Sequence, residues 1–223
     1  MTNRHHETAF TPAVRRLQER AGSREAYAGA GARGGANDRF TARERQFIAE
    51  RDGFYLATVS ETGWPYVQFR GGPPGFARVL DEGTLGWADF RGNQQFVSAG
   101  NASAGDGRAA VILMDYPNRR RLKLFGHLSF TDAADAPDLA ARLVVPGYRA
   151  KADRAAVLRL TGFDWNCPQH IPRRFTADEL GDALAPLRAR MAALEEENRA
   201  LKLRLGDAWV GRPPNPRDGS GTA

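Results

Sequence analysis

Cysteine occurs once in the 223 residues, at Cys167, so the chain carries no internal disulfide framework and suits a reducing compartment. Lysine is nearly missing too: only Lys123, Lys151 and Lys202 accompany the arginines. No apolar run approaches the roughly 20 residues that span a bilayer, and the opening MTNRHHETAF lacks the apolar core of a signal peptide. The expectation is a cytoplasmic protein with no membrane partner. Ser-His-Asp, paired-carboxylate and metal-ligand constellations are not visible either. His5 and His6 lie in a start expected to be disordered, and His127 sits inside an expected strand, so no metal site is expected.

The length suffices for one well-filled domain with appendages. The net charge is +6, but acids are interleaved with the scattered arginines and no nucleic-acid motif occurs, which argues against a nucleic-acid surface.

Four segments follow from the pattern. Residues 1–40 read as peripheral: a helix over VRRLQERAGSREAY, then the flexible Gly/Ala stretch AGAGARGGAND. Residues 41–176 read as the main domain. Thr41 with Glu44 forms a capping-box signature and opens a helix TARERQFIAER. FYLATVS and WPYVQFR, joined by SETG, predict a hairpin; FARVLD and TLGWADF predict two more strands. RGNQQFVSAGN predicts a short helix, and AAVILM (109–114) a strand buried on both faces. RLKLFGHLSF predicts a strand, 137–145 a helix, and 155–160 a last strand. Short strands at close spacing with few helices argue for an antiparallel barrel rather than a βαβ sheet. The fold class is therefore mainly β with flanking helices, α+β.

Residues 177–206 predict a C-terminal helix. Leu187, Leu194 and Leu201 fall at heptad position d, and Leu184, Met191, Asn198 and Leu205 at position a. A single Asn at a fixes register in a parallel two-stranded coiled coil. The alternative is a lone amphipathic helix, which needs a wider apolar stripe. A basic zipper reading fails, because TADELGDALAP before the heptads is acidic and contains Pro186. Residues 207–223 read as a disordered tail.

Two stretches suggest a site. ADFRGN (88–93) offers the Arg91 guanidinium, the open backbone of Gly92, and Asn93 as cap of a helix whose first N–H groups could meet a phosphate. WPYVQFRGGP carries Gln68 and Arg70 into a Gly-Gly loop, beside which a planar heterocycle could lie. Either stretch by itself also fits an ordinary cap or hairpin.

In combination, FYLATVSETGWPYVQFRGGPPGF, TLGWADFRGNQQFVSAGN and DYPNRRRLKLFGHLSF, in that order, resemble the pyridoxamine 5'-phosphate oxidase-like family of FMN-binding split β-barrels, over about residues 47–129. FDWNCPQHI resembles the C-terminal element of one branch of it. The resemblance implies a split antiparallel barrel, a homodimer, and two FMN molecules in clefts at the interface. By position it places Gln68, Phe69 and Arg70 along the flavin ring, and Ala88 and Asp89 beside the ribityl chain. It places Arg91, Gly92, Asn93 and Gln94 at the phosphate, where the pyridoxamine phosphate oxidases usually carry Ser-Arg-Lys. Arg119, Arg120, Arg121 and Lys123 match a segment that approaches the cofactor, sometimes from the partner chain. The basic C-terminal signature for a substrate phosphate is replaced here by WNCPQHIPRR, so vitamin B6 oxidation is not implied and the small organic substrate stays open. Some relatives bind a deazaflavin or haem, which rank behind FMN. The functional expectation is an FMN-dependent oxidoreductase with a nicotinamide nucleotide as candidate electron donor; the alternative is a non-catalytic flavin- or haem-binding sensor or partner protein.

Cys167 and His170 invite a thiol or metal reading. One Cys and one His are too few for a metal site, and the Cys-Pro step breaks helical continuity between them. Cys167 reads better as a small buried residue, with Trp165, Asn166, Gln169 and His170 as the wall that closes the cofactor cleft, its own or the partner subunit's, on the substrate side.

Overall fold

The computed structural model describes residues 3–33, 35–165 and 168–210. The expected tail beyond 210, and the wall residue Asn166 with Cys167, lie outside the described residues. The chain divides into two compact units, Met1–Arg173 and Arg174–Ala223.

The first unit opens with three helices: α1 (Arg4–Ala9), α2 (Pro12–Arg20) and α3 (Arg24–Arg33). Two of these correct the sequence reading. His5 and His6 are ordered in α1, and His5 is buried. Residues 28–33 of the Gly/Ala stretch continue α3 rather than forming a linker, as alanine-rich sequence readily does. Gly22, at φ +70°, turns the chain between α2 and α3.

Helix α4 (Ala42–Ala49) begins as expected. The Thr41 side chain accepts from the backbone while Glu44 Oε2 accepts from Thr41 N at 3.0 Å. Its Phe47 and Ile48 are buried in the core. Seven strands follow: β1 (Gly53–Val59), β2 (Pro65–Gly71), β3 (Ala77–Asp81), β4 (Thr84–Phe90), β5 (Arg108–Asp115), β6 (Arg120–Asp132) and β7 (Ala152–Trp165). Helix α5 (Val97–Ala104) lies between β4 and β5, and α6 (Pro137–Leu143) between β6 and β7.

All neighbouring strands pair antiparallel, in the order β2-β1-β5-β6-β7-β4-β3. Period-2 alternation sends one set of side chains inward: Phe54 and Leu56, Val111 and Leu113, Leu122 and Leu124, Leu158. The sheet is curled on itself. Phe54 of β1 meets Trp87 of β4 edge-on at 5.0 Å, although three strands separate β1 from β4 in the hydrogen-bonded order. Phe76, just before β3, stacks on Phe54 at 5.6 Å. The interior is that of a barrel, while β2 and β3 remain unpaired edges. This is the split antiparallel barrel, and the seam between β2 and β4 is its opening.

The bending has a visible device. The β6–β7 register shifts between Phe125 and Gly126, and a Cβ on Gly126 would stand 2.3 Å from the Arg159 carbonyl oxygen. A bulge at a glycine lets two long strands bend where a side chain would forbid it. Strand β5 differs from expectation: Ala109, Val111 and Leu113 are buried, but Ala110, Ile112 and Met114 face outward and are half exposed. Among the described residues only one face of β5 is covered. Strand β7 is longer than expected and takes in residues 152–165.

The far end of β7 is tied to α4. Trp165 packs edge-on to Phe47 at 4.7 Å, and its indole N–H donates to Glu44 Oε1 at 2.7 Å. The guanidinium groups of Arg43 and Arg120 lie over the indole at 4.4 and 5.0 Å. Glu44 is therefore a hub: one carboxylate oxygen holds the helix cap and the other holds the sheet.

The second unit is described by helix α7 (Ala177–Val210). It starts before the heptads, where Glu179 accepts from Thr176 N at 2.8 Å and donates its own N–H to Thr176 Oγ1. It runs through Pro186, which removes one backbone donor without ending the helix. Leu180, Leu187, Leu194 and Leu201 repeat every seven residues, and each is 45–56% exposed. No described helix is long and apolar enough to cross a membrane.

Glu44→Ala should lower the unfolding free energy by about 2–4 kcal/mol, from a lost cap and a half-buried indole N–H left without a partner. Urea denaturation measures it; a change under about 0.5 kcal/mol would remove the hub role. The acid response adds a second check. Burial pushes the Glu44 pKa up, but hydrogen bonds from Thr41 and Trp165 outweigh it and hold the pKa below the ordinary value. A depressed folded pKa stabilises above the unfolded pKa, and that contribution is lost as pH falls through the folded value. Wild type should thus lose stability below about pH 4.5 more steeply than Glu44→Gln.

Candidate functional site

The seam between β2 and β4 holds a cleft of about 460 Å³, lined by the inward face of β2, the end of β4, residues 91–96, the start of α5 and the Asp153–Arg154 step of β7. Its floor is a buried ion triad. Asp89, 5% exposed at its side chain, accepts from Arg70 of β2 at 2.5 Å and from both Nε and a terminal nitrogen of Arg154 at 3.0 and 2.5 Å. The Arg154 guanidinium also lies between the rings of Phe96 and Phe130, at 4.8 and 5.0 Å.

Gln68 extends this network. The donors and acceptors around it orient its amide so that the oxygen accepts from Arg70 Nε at 2.9 Å and the nitrogen donates to Ser98 Oγ at 2.8 Å. The edge strand β2 is thereby linked to the first turn of α5. Deeper, Asn101 donates to Thr58 Oγ1 at 3.0 Å and secures α5 to β1.

On the rim, Arg91 grips Asp153 with two hydrogen bonds, of 2.7 and 2.9 Å. Each partner favours the other's charged form: the Asp153 pKa is lowered by the Arg91 hydrogen bond, and that of Arg91 is raised. Three arginines against two aspartates leave one positive charge in excess at the cleft. The loop after β4 departs from the sequence reading. α5 begins at Val97, not at Asn93, and its N-cap position is taken by Phe96 at φ +55°. Gln94 also has positive φ, at +58°. Asn93 instead accepts from Gln95 N at 3.2 Å. Such φ values for side chains of this size store strain and cluster at ligand sites. Because Phe96 has no side-chain acceptor, the first N–H groups of α5 lack a side-chain cap, and Val97, Ser98 and Ala99 of this first turn line the cleft.

The structure gathers many of the sequence candidates here. Gln68, Arg70, Asp89, Arg91, Gly92, Asn93 and Gln94 all line the cleft. Ala88 lines it too but packs its methyl with Leu143 and Ala155 in a separate cluster behind the strand. Phe69 lines the cleft as well, but its ring is directed to the other face of the strand, against Tyr55 at 5.4 Å and over Gly53 and Gly71. Alternation along a strand makes this unavoidable: Gln68 and Arg70 cannot share a face with Phe69.

Other candidates lie elsewhere. Arg121 and Lys123 alternate with the inward Leu122 and Leu124 and so occupy the outer face of β6. The Arg121 Nε is buried there without a hydrogen-bond partner. Arg120 is committed to the Phe47 and Trp165 rings, and Arg119 sits in a turn at φ +53°. Trp165 is corrected as a cleft wall of its own chain: it stands at the far end of β7, paired with Leu122 and bonded to Glu44. Gln169 and His170 follow in an exposed turn.

Sequence reasoning missed Asp153, Arg154, Phe96 and Ser98. Asp153 and Arg154 reach the cleft only because β7 pairs with β4, with Arg154 opposite Asp89 and Asp153 at the register shift beside it, and no local signal announces that pairing. The cleft fits a flavin phosphate ester by its own chemistry. Its size lies within the usual range for small-ligand sites, about 300–1,000 Å³. It offers arginines and uncapped N–H groups for a dianion. Trp87 lines it as well, and its buried indole N–H has no protein partner, a donor that a ring acceptor would satisfy.

No family model matches the chain, and no curated protein matches it. Solved structures do. An FMN-binding protein from Syntrophomonas wolfei subsp. wolfei aligns at 11% identity and TM-score 0.43, over 55% of this chain and 83% of its own. A protein from Clostridium acetobutylicum related to general stress protein 26, of the pyridoxinephosphate oxidase family, aligns at 13% identity and TM-score 0.39, over 61% and 94%. An F420 reductase aligns at 24% identity and TM-score 0.35, over 52% and 93%.

Asp89→Ala should cost about 3–5 kcal/mol of stability, because it leaves two largely buried arginines without their counter-charge. A denaturation midpoint unchanged from wild type would show that the triad does not hold the seam.

Proposed function

We propose that the chain is an FMN-dependent oxidoreductase that acts on a small organic substrate as a homodimer. The observation that carries this reading is the cleft itself: cationic, rich in donors, and opened by a strained loop onto an uncapped helix start. FMN needs a site of two kinds, polar for a phosphate dianion and flat for the ring. Arg91, Asn93 and the N–H groups of α5 would hold the phosphate. Gln68 and Arg70 would face the polar edge of the ring, with Trp87 and Phe96 as aromatic neighbours. When bound, the flavin supplies hydride and electron transfer. The protein's own contribution is to position it: the Asp89 triad fixes Arg70 and Arg154 before any ligand arrives, so their orientation costs nothing on binding. A nicotinamide nucleotide is the proposed electron donor.

Two surfaces support a homodimer. The outer face of β1, β2, β5 and β6 exposes Tyr55, Val59, Val67 and Phe69 and contains an apolar hollow of about 250 Å³ that Lys123 also lines. A second subunit there would cover the open side of β5. Separately, α7 presents its heptad leucines to a parallel partner, with Asn198 at the centre.

A second reading, a non-catalytic flavin- or haem-binding protein, has one observation behind it. Both carboxylates at the cleft, Asp89 and Asp153, are engaged by arginine rather than held ready as proton carriers. Reduction of the bound flavin by a nicotinamide nucleotide separates the two readings.

FMN should bind with quenching of its fluorescence. Arg91→Ala should weaken FMN by about tenfold or more and leave riboflavin, which lacks the phosphate, within about twofold. Failure of wild type to bind or quench FMN overturns the proposal; equal losses for both ligands would move the phosphate away from Arg91. For the zipper, Asn198→Leu should change the oligomeric state or raise coiled-coil stability, read by sedimentation and thermal melting. An unchanged dimer of unchanged stability would count against it.

A further inference from the structure

We propose that His5, His6 and Asp164 form a binding site for a divalent transition metal of the zinc class, which fastens helix α1 to strand β7. One ligand atom from each residue lies within 4.8 Å of the other two. The second observation is independent of that spacing. His5 is 94% buried, yet neither of its ring nitrogens has a hydrogen-bond partner. Buried imidazole nitrogens are nearly always paired, because an idle one forfeits its bond to water. A metal ion is the partner that these surroundings can supply.

The site is built rather than incidental. Phe125 stacks on the His5 ring at 4.9 Å and 25°, which fixes its plane. Gly162 admits the helix: a Cβ there would stand 2.6 Å from the His5 backbone nitrogen. The start of α1 is set by Asn3, itself buried, whose side chain accepts from His6 N at 3.0 Å. His6 is half buried and stacks on Phe10 at 4.4 Å. Asp164 is the carboxylate that precedes Trp165 at the end of β7, half buried.

The donor set selects the ion. Two imidazoles and one carboxylate suit zinc and its neighbours, whereas calcium and magnesium prefer oxygen donors alone. Zinc–ligand distances of about 2.0–2.2 Å put tetrahedral ligand atoms about 3.4 Å apart. Closing the present cluster thus needs a movement of at most about 1.4 Å, available to the less buried His6 and Asp164 by side-chain rotation. Burial lowers the His5 pKa while Asp164 acts the other way. Lys123, in register with Asp164, opposes a dication and sets the affinity below that of a bare His-His-Asp set. Three protein ligands leave a fourth position for water.

The test uses the full chain stripped with chelator and free of flavin. Zinc chloride titrated against a chromophoric chelator should show one saturable equivalent per chain, and cobalt(II) should give visible ligand-field bands. His6→Ala and Asp164→Asn should each weaken zinc by more than the roughly 10–100-fold typical of supporting residues, while His127→Ala leaves it unchanged. Added zinc should raise the melting temperature of wild type and not that of the double variant. Should His5→Gln fail to fold, the two less buried positions still decide the matter, provided their metal-free melting temperatures match wild type. Absence of a saturable equivalent in wild type, or equal zinc affinity in the double variant, overturns the proposal.

Discussion

The carboxylate of Asp89 does what hydrogen bonding does elsewhere in the sheet. β2 and β4 face one another across the seam with no backbone pairing between them. What joins them is one acid shared by Arg70 of β2 and Arg154 of β7, with Asp89 itself on β4. A buried ion triad is a costly way to close a gap, since three charges must leave water. It has a geometric merit that apolar packing lacks. It holds the two walls apart at a fixed spacing and leaves the space above it open and polar. The cleft exists because the seam is bridged by charge instead of being filled by side chains.

How much of this could be read from the chain depends on how local the cause is. Thr41 and Glu44 lie three residues apart, and the capping box they spell is the one that forms. The β1–β2 and β3–β4 pairs are announced by SETG and EG, turn residues between β-rich runs. The inward residues Gln68 and Arg70 follow from position alone. By contrast, the partner of Trp165 is Glu44, over a hundred residues earlier, and nothing near Trp165 announces it. Arg154 is unremarkable in ADRAAVLRL; only the β4–β7 register gives it a role. The true start of α5 is hidden for another reason: Phe96 takes a left-handed backbone that its side chain disfavours, so the local preference points the wrong way. AAVILM is as apolar as a doubly covered strand, yet the described chain covers only one of its faces.

Strand β7 carries more of the molecule than any other. One end supplies Arg154 to the cleft; the other supplies Trp165 to α4, with Asp164 beside α1. Between them the bulge opposite Gly126 turns the strand so that its two ends serve different neighbours. A single strand thus fixes the cleft floor, the helix that plugs the core, and the N-terminal helix. Its many roles rest on length and bend rather than on unusual residues.

The order β2-β1-β5-β6-β7-β4-β3 also dictates a history. The β3–β4 hairpin is made early in the chain, yet its only bridge to the rest of the sheet is β7, the last strand made. As the polypeptide leaves the ribosome, β1, β2, β5 and β6 can assemble in turn, while β3–β4 waits with Leu85 and Trp87 uncovered. Only when the final strand emerges can the hairpin dock, the interior seal and the arginines find their shared acid. The nascent protein therefore passes through a stage with only part of its core closed, a period in which a chaperone that shields apolar surface has the most to protect.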